Sequence, residues 1–204
     1  MKLRVTTAII ALLLISGSVY AGTAATTVAN IKAAIKGETT ASAKYAAYSK
    51  KAKEEGYNKV ALLFEAASKA ESVHAGNHLA VLSQLGEKMD NFEPEYEVKS
   101  TMENLQDAIN GESYEVATMY PDFLKAAQND NVNLALISFN YAYQTEKKHA
   151  ALYKNALAQL QSGNESSLAS KYFVCSTCGN TYENEAPARC GISMTPRERF
   201  VTIQ

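Results

Sequence analysis

The amino-acid sequence predicts an all-α four-helix bundle followed by a small module built around cysteines. Residues 26–160 are rich in Ala, Leu, Glu, Lys and Gln, which favour helices, and contain only two prolines, Pro94 and Pro121. The two halves of this region repeat one another. All three cysteines of the 204-residue chain lie after residue 170, in a part with little helical periodicity.

The first 21 residues have the features of a secretory signal peptide. Lys2 and Arg4 precede an apolar run at residues 8–15, and small residues then lead to Ala21. The run is shorter than the roughly 20 residues that a membrane-spanning helix needs, which argues against an uncleaved anchor. We therefore expect cleavage after Ala21, export to the periplasm, and no membrane association of the mature chain.

Breaks near Gly56, between Gly86 and Pro94, and at residues 128–131 divide the bundle region into four helices. Pro121 lies inside the third helix, where it lacks the N–H of a helical hydrogen bond and is expected to cause a kink. The helices are predicted at residues 26–55, 58–85, 97–128 and 131–160.

A helix pair is duplicated within the bundle. Residues 35–38, Ile-Lys-Gly-Glu, recur 74 positions later as Ile-Asn-Gly-Glu. The pair Glu71-x-x-His74 recurs 75 positions later as Glu146-x-x-His149. Such a pair completes its core against a second copy, so the repeat predicts two helical hairpins joined by a long connection.

Ionisable residues interrupt the apolar stripe of every predicted helix near its centre. No Lys or Arg lies on these stripes, and burying a lone carboxylate is costly unless it takes up a proton or meets a cation. One Glu-x-x-His pair on a solvated face is an ordinary helical pattern. Two such pairs, with inward Glu residues on two further helices, match the dinuclear metal arrangement of ferritin-like bundles. The candidate ligands are Glu38, Glu71, His74, Glu112, Glu115, Glu146 and His149.

Other side chains lie close to these candidates along the same stripes. Tyr45 and Tyr120 fall about two turns beyond a predicted ligand, where they either pack in the core or hydrogen-bond a carboxylate. His78, one turn beyond His74, is expected to support a ligand or to be an ordinary histidine rather than to bind metal itself.

The overall charge excludes two classes of partner. Lys and Arg number 20 against 21 Asp and Glu, so the chain has no electrostatic footprint for nucleic acid and no polybasic patch for an anionic membrane.

The C-terminal tail is a candidate for a second metal site. Cys175, Cys178 and Cys190 supply thiolates for iron or zinc, and Ser193 stands where a second Cys-x-x-Cys pair would place the fourth. A Cys175–Cys178 disulfide with Cys190 free is the alternative in an exported protein. The expected domains are the bundle at 22–162, a polar linker at 163–170 and a metal-binding module at 171–204.

The chain resembles the rubrerythrin family over nearly all of its length after the signal peptide. The resemblance implies a ferritin-like bundle with a di-iron site, a rubredoxin-like module with one iron, and reduction of hydrogen peroxide to water. It is carried by Gly37-Glu38, Glu71-x-x-His74, Gly111-Glu112-Ser-Tyr-Glu115, Met119-Tyr120-Pro121, Glu146-x-x-His149, Cys175-x-x-Cys178-Gly179, Cys190, Pro196 and Phe200.

The resemblance also implies roles for individual residues. The candidate ligands would hold two iron ions, and Glu115 and His74 would exchange as ligands of one ion when the redox state changes. Tyr45 and Tyr120 match tyrosines that lie next to the ligands in the family, and these four residues form the expected catalytic set. Electrons would pass across the subunit boundary of a head-to-tail dimer, so a homodimer or larger homo-oligomer is expected.

Two features depart from the family pattern. Ser193 replaces the fourth rubredoxin cysteine. Serine is a poorer ligand than cysteine for a soft metal site, so the expected metal of the tail is iron or zinc. The signal peptide implies an electron donor outside the cytoplasm.

Two other functions fit the same residues: a ferritin-like ferroxidase or oxidase that uses dioxygen, and a non-enzymatic metal-binding bundle, loaded for example with zinc.

Overall fold

The structure, a computed structural model, describes residues 24–204. The predicted signal peptide, residues 1–21, lies outside the described residues. Four helical rods form a bundle, and the third rod consists of two α-helices joined by a π-helix. Their bounds are α1 Ala25–Glu54, α2 Asn58–Gln84, α3 Thr101–Tyr114, the π-helix Glu115–Met119, α4 Tyr120–Asn129 and α5 Asn133–Gln161.

The predicted four-helix bundle is confirmed, but the predicted start of the third helix at residue 97 is wrong. That helix begins at Thr101, because Ser100 caps it. The Ser100 hydroxyl accepts from the backbone N–H of Glu103, and the Glu103 carboxylate accepts from the Ser100 N–H at 3.2 Å. The connection between the hairpins therefore runs on to Ser100, beyond the predicted end at Pro94.

The third rod contains a π-helix just before Pro121. The Tyr120 N–H donates to the Glu115 carbonyl five residues back, so this turn holds one residue more than an α-helical turn. Pro121, which has no N–H to donate, follows in the first turn of α4. The spacing between the two copies of the repeat also changes here, from 74 residues before the π-helix to 75 after it. The π-helix thus takes up one inserted residue.

Two apolar clusters fill the bundle, one towards each end. Phe64 and Tyr153 belong to one cluster, and Leu82 and Phe139 to the other. Phe64 and Phe139 are equivalent positions of the repeat, and both are fully buried. The predicted ligands lie along the helices between these clusters, where water has little access.

The C-terminal residues form a three-stranded antiparallel sheet with the strand order β2-β1-β3. Short 3-10 helices precede β1 and β3. The strands are β1 Tyr172–Cys175, β2 Thr181–Glu183 and β3 Phe200–Ile203, and the 3-10 helices are Glu165–Ser167 and Arg197–Arg199.

The polar segment 163–170, predicted as a linker, is fastened to the bundle. The Glu165 carboxylate accepts from the Lys59 N–H at 2.6 Å, in the first turn of α2, where a negative charge is favourable. The Lys59 ammonium in turn donates to the Leu168 carbonyl at 2.6 Å. These contacts fix where the cysteine module, residues 171–204, lies on the helices.

Within residues 24–204, no helix combines the length and the apolar character that crossing a bilayer requires.

Candidate metal centre

Six predicted ligands form a dinuclear cage in the middle of the bundle. Their ligand atoms fall into two sets, and within each set all atoms lie within 4.8 Å of one another. Glu71 and Glu146 belong to both sets, so they are the residues that could bridge two ions. One set is Glu38, Glu71, His74 and Glu146, and the other is Glu71, Glu112, Glu146 and His149.

The two bridging carboxylates are placed symmetrically between the histidines. Glu71 directs Oε2 to within 2.8 Å of His74 Nδ1 and Oε1 to within 3.0 Å of His149 Nδ1. Glu146 directs Oε1 to within 2.9 Å of His74 Nδ1 and Oε2 to within 3.0 Å of His149 Nδ1. This symmetry follows from the duplicated Glu-x-x-His pair.

The donor atoms of the cage fit a pair of metal ions. All six side chains are at most 2% exposed. Glu38 Oε2, Glu112 Oε2, both oxygens of Glu146 and Nδ1 of His149 have no hydrogen-bond partner among the described residues. Burying such atoms unpaired is costly, whereas carboxylate and imidazole donors suit iron and other first-row divalent metals.

Burial also shifts the acidity of the cage. It raises the pKa of Glu38 from 4.5 to about 8, and the charges of Glu71 and Glu146 act in the same direction. Burial, with the charge of Glu71 next in importance, raises the pKa of Glu112 well above its ordinary value. Without a cation the cage therefore keeps protons that bound metal would displace.

The cysteine module sets which nitrogen of each histidine points into the cage. His74 Nε2 lies 3.1 Å from the Cys178 carbonyl, which can only accept, so Nε2 carries a proton and Nδ1 is the nitrogen turned towards the carboxylates. His149 Nε2 lies 3.0 Å from the Thr181 hydroxyl. That hydroxyl donates to the Gly179 carbonyl at 3.1 Å, so it accepts from His149. Both Nδ1 atoms are thus available as ligands.

The two predicted tyrosines hydrogen-bond carboxylates of the cage and also pack in the two apolar clusters, so both interpretations left open by the sequence apply. The Tyr45 hydroxyl donates to Glu112 Oε1 at 2.7 Å. The Tyr120 hydroxyl donates to Glu38 Oε1 in the equivalent position of the other hairpin. Each tyrosine therefore holds a terminal carboxylate of the cage in place.

Glu115 is the one predicted bundle ligand that belongs to neither set. It is the first residue of the π-helix and is partly exposed. Burial of its carboxyl, followed by the charge of Glu38, raises its pKa well above the ordinary value. His74, the residue with which Glu115 is expected to exchange, lies inside the cage.

The three cysteines converge in the module, and none forms a disulfide. Their sulfur atoms lie within 4.8 Å of one another, with Cys178 Sγ and Cys190 Sγ 3.4 Å apart. Ser193 Oγ lies 3.3 Å from Cys175 Sγ and 2.8 Å from Thr195 Oγ1. A tetrahedral site with metal–sulfur distances of about 2.3 Å spaces its ligand atoms at roughly 3.8 Å, so the spacing of the three sulfur atoms suits one metal ion.

The acidity of each thiol depends on the neighbouring thiols. A hydrogen bond with Cys178 lowers the pKa of Cys175, and Ser193 adds to that effect. The same hydrogen bond raises the pKa of Cys178. Thiolate character at this site is what metal binding requires.

The cysteine module packs directly onto the helices that supply the cage, a contact that sequence patterns did not indicate. Gly179, with φ +77°, makes the approach possible: a Cβ there would lie 2.3 Å from His74 Nε2 and 3.2 Å from the Ala70 carbonyl. Thr145 Oγ1 also donates to the Cys178 carbonyl, at 3.2 Å. The cysteine loop and the cage of one chain thus share a common set of hydrogen bonds.

Together, the bundle and its two shared carboxylates define a ferritin-like protein with a buried dinuclear carboxylate site and a rubredoxin-like module. The sequence model of the family described as Rubrerythrin matches residues 29–157, and the chain belongs to the rubrerythrin family. Members of this family are di-iron oxidoreductases, so the cage is the counterpart of their di-iron site.

Known proteins support this assignment over most of the chain. Nigerythrin of Nitratidesulfovibrio vulgaris is 35% identical over 182 residues, covering 85% of each chain. Rubrerythrin-2 of Clostridium acetobutylicum is 30% identical over 171 residues, covering 83% of this chain and 92% of that protein. The structure of fully reduced, all-ferrous nigerythrin matches with a TM-score of 0.77 at 31% identity, covering 99% of this chain and 100% of the other. Bacterioferritin of Rhodobacter capsulatus, at 16% identity and a TM-score of 0.63, covers 80% of this chain and 98% of the other and shares the fold.

Proposed function

We propose that the chain is a di-iron peroxidase that reduces hydrogen peroxide to water with electrons relayed through the cysteine module. The observation that carries this proposal is the hydrogen bond from His74, a member of the dinuclear cage, to the carbonyl of Cys178, a member of the thiol cluster. One side chain therefore links a dinuclear site to a site for a second metal within one chain, whereas the family resemblance implied electron transfer across a subunit boundary. A ferroxidase has no need of such a connection.

Different residues of the chain position the ligands, exclude water and supply a proton in this reaction. Reduction of one hydrogen peroxide to two waters consumes two electrons and two protons, and bound iron would supply the redox chemistry. Tyr45 and Tyr120 keep the terminal carboxylates in position, while the apolar clusters exclude bulk water. Glu115, whose pKa is raised by burial, is the carboxyl proposed to hold a proton and give it up, as a general acid requires.

The same proposal assigns two residues whose roles follow from their positions. Glu115 is the predicted ligand left outside the cage and His74 lies inside it, so these two residues form the proposed pair of exchanging ligands. Ser193 is proposed as the fourth ligand of the tail metal, which would be iron or zinc, because its hydroxyl lies beside the thiol cluster.

The proposed setting is outside the cytoplasm. Residues 1–21 support export with cleavage after Ala21, an electron donor in the periplasm, and a mature chain that works as a homodimer or larger homo-oligomer. N-terminal sequencing and sedimentation of protein purified from the periplasm test the cleavage and the oligomeric state. Mature protein that begins at residue 1, or that sediments as a monomer, would contradict them.

A single-turnover experiment tests the activity. Iron-loaded protein is reduced without oxygen and mixed in a stopped-flow instrument with one equivalent of hydrogen peroxide or of dioxygen. We expect oxidation by peroxide to be much faster than oxidation by dioxygen. The opposite order would favour the ferroxidase or oxidase, and no oxidation by either would reject an enzymatic role. Metal analysis of protein from its own compartment tests the zinc-loaded alternative.

A further inference from the structure

A line of buried side chains runs from α5 into one half of the cage. Ser138 Oγ lies 2.7 Å from His78 Nδ1, and His78 Nε2 lies 3.2 Å from the Tyr120 hydroxyl. Tyr120 donates in turn to Glu38 Oε1. Ser138 is 5% exposed, whereas His78, Tyr120 and Glu38 are fully buried, so Ser138 is the end nearest to solvent.

The chemistry of these groups gives the line one direction. A metal-bound Glu38 carboxylate can only accept, so the Tyr120 hydroxyl donates to it and accepts from His78 Nε2–H. His78 Nδ1 then carries a lone pair that accepts from the Ser138 hydroxyl. Burial also lowers the pKa of His78 to about 3, which keeps the ring neutral, with a proton on one nitrogen and a lone pair on the other.

The internal repeat shows that this line belongs to one side of the site only. Seventy-five residues separate His78 from Tyr153, and the same spacing relates Leu63 to Ser138. The other half of the cage therefore has an aliphatic and an aromatic side chain where this half has a hydroxyl and an imidazole. The Tyr153 hydroxyl has no partner among the described residues.

Glu115 reinforces the asymmetry. Its equivalent in the first hairpin, with the spacing of 74 residues, is Ala41. The second hairpin thus carries a carboxyl that the first hairpin lacks.

We propose that Ser138, His78 and Tyr120 form a proton relay that serves the Glu38 half of the dinuclear site. In one passage Tyr120 gives its proton to the Glu38 side and takes the proton of His78 Nε2, while His78 takes the proton of Ser138 on Nδ1. The passage leaves His78 as the Nδ1–H tautomer, so the line delivers one proton and must return to the Nε2–H form before it delivers another. Solvent water restores the Ser138 proton. One proton enters, one leaves, and no electron moves along the line. The relay rests on the proposed peroxidase function, which consumes two protons per peroxide.

Variants of His78 test the relay against a purely positioning role. Gln in place of His78 keeps an N–H donor for Tyr120 but cannot pass a proton on, whereas Phe removes both capacities. We expect His78→Gln and His78→Phe to slow single-turnover oxidation by peroxide about tenfold or more, with unchanged iron content, and Ser138→Ala to slow it less. Tyr153→Phe, the matched change on the other side, should stay within about twofold of the parent. A parental rate in His78→Gln would overturn the relay.

A second measurement does not depend on turnover. In zinc-loaded protein labelled with ¹⁵N-histidine, long-range proton–nitrogen spectra report which nitrogen of each ring carries the proton, and His78→Gln identifies the His78 signals. We expect the proton on Nε2 of His78. A proton on Nδ1 would reverse the line and overturn the relay even if the protein does not react with peroxide. If the parent protein does not react with peroxide but carries the His78 proton on Nε2, only the peroxidase function is rejected.

Discussion

Replacing Gly179 with alanine tests whether the cysteine module must touch the cage. The new Cβ would lie 2.3 Å from His74 Nε2 and 2.9 Å from its Cδ2, and the residue would keep a left-handed φ of +77°. The left-handed conformation costs about 1–2 kcal/mol, and overpacking adds about 1–3 kcal/mol. Loss of the hydrogen bond between His74 and Cys178 adds about 0.5–1.5 kcal/mol. Undocking removes the overpacking, and the hydrogen bond is already lost in the docked variant. We therefore expect the module to leave the bundle.

Gly86→Ala is the matched control for this variant. Gly86 has the same φ of +77°, but nothing lies within 4 Å of the Cβ position, so only the backbone strain is imposed. Beyond the control, the clash and the lost hydrogen bond amount to about 1.5–4.5 kcal/mol, or roughly a 10- to 1,600-fold larger undocked population.

Limited proteolysis under native conditions measures that population, because cleavage within residues 163–170 requires the segment to leave α2. We expect Gly179→Ala to be cut much faster than the parent and to release an intact bundle, while Gly86→Ala is cut at the parental rate. Equal cleavage rates for Gly179→Ala and the parent would show that the module does not depend on this close approach, and the reasoning would fail.

Three further predictions concern the metal sites. Metal-free protein should lose stability as the pH rises from about 4.5 to 8, because the pKa of Glu38 is about 4.5 in the unfolded chain but about 8 in the folded protein. Urea unfolding with and without metal measures this loss. A metal-free protein that becomes more stable over that pH range contradicts the prediction. Tyr45→Phe removes the donor to Glu112 and should weaken metal binding at the cage by about 10- to 100-fold in a chelator competition, whereas unchanged affinity would mean that the hydrogen bond does not position the ligand. Ser193→Cys should change the visible spectrum and the reduction potential of the iron-loaded tail, and spectra equal to those of the parent would show that position 193 does not contact the metal.

Much of the cage could be predicted from the sequence because the relevant signals are local. Glu71 and His74 are three residues apart, so a helix must place them on one face, and the repeat supplies the second pair. The true start of α3 was also encoded: Ser100-Thr-Met-Glu103 is a capping box, which fixes the first turn better than composition does. The change of repeat spacing from 74 to 75 residues likewise marked the inserted residue of the π-helix.

The docking of the cysteine module could not be predicted in this way. The partner of His74 Nε2 is a backbone carbonyl 104 residues further along the chain, and every residue has a carbonyl. Thr181 is an ordinary strand residue by type, and nothing in its neighbours indicates that its hydroxyl meets His149. Contacts of this kind depend on tertiary packing, which side-chain spacing along the chain does not reveal.

That docking makes the cysteine module a structural part of the dinuclear site. An imidazole that coordinates a metal through Nδ1 must carry its proton on Nε2, and a buried Nε2–H needs an acceptor. For His74 the acceptor is the Cys178 carbonyl, and for His149 it is the Thr181 hydroxyl. Both acceptors belong to the module, so without it the two Nε2–H donors lose their protein acceptors and the protein no longer fixes the tautomers of both histidines. The ligand geometry of the bundle therefore depends on the module even before any electron moves between them.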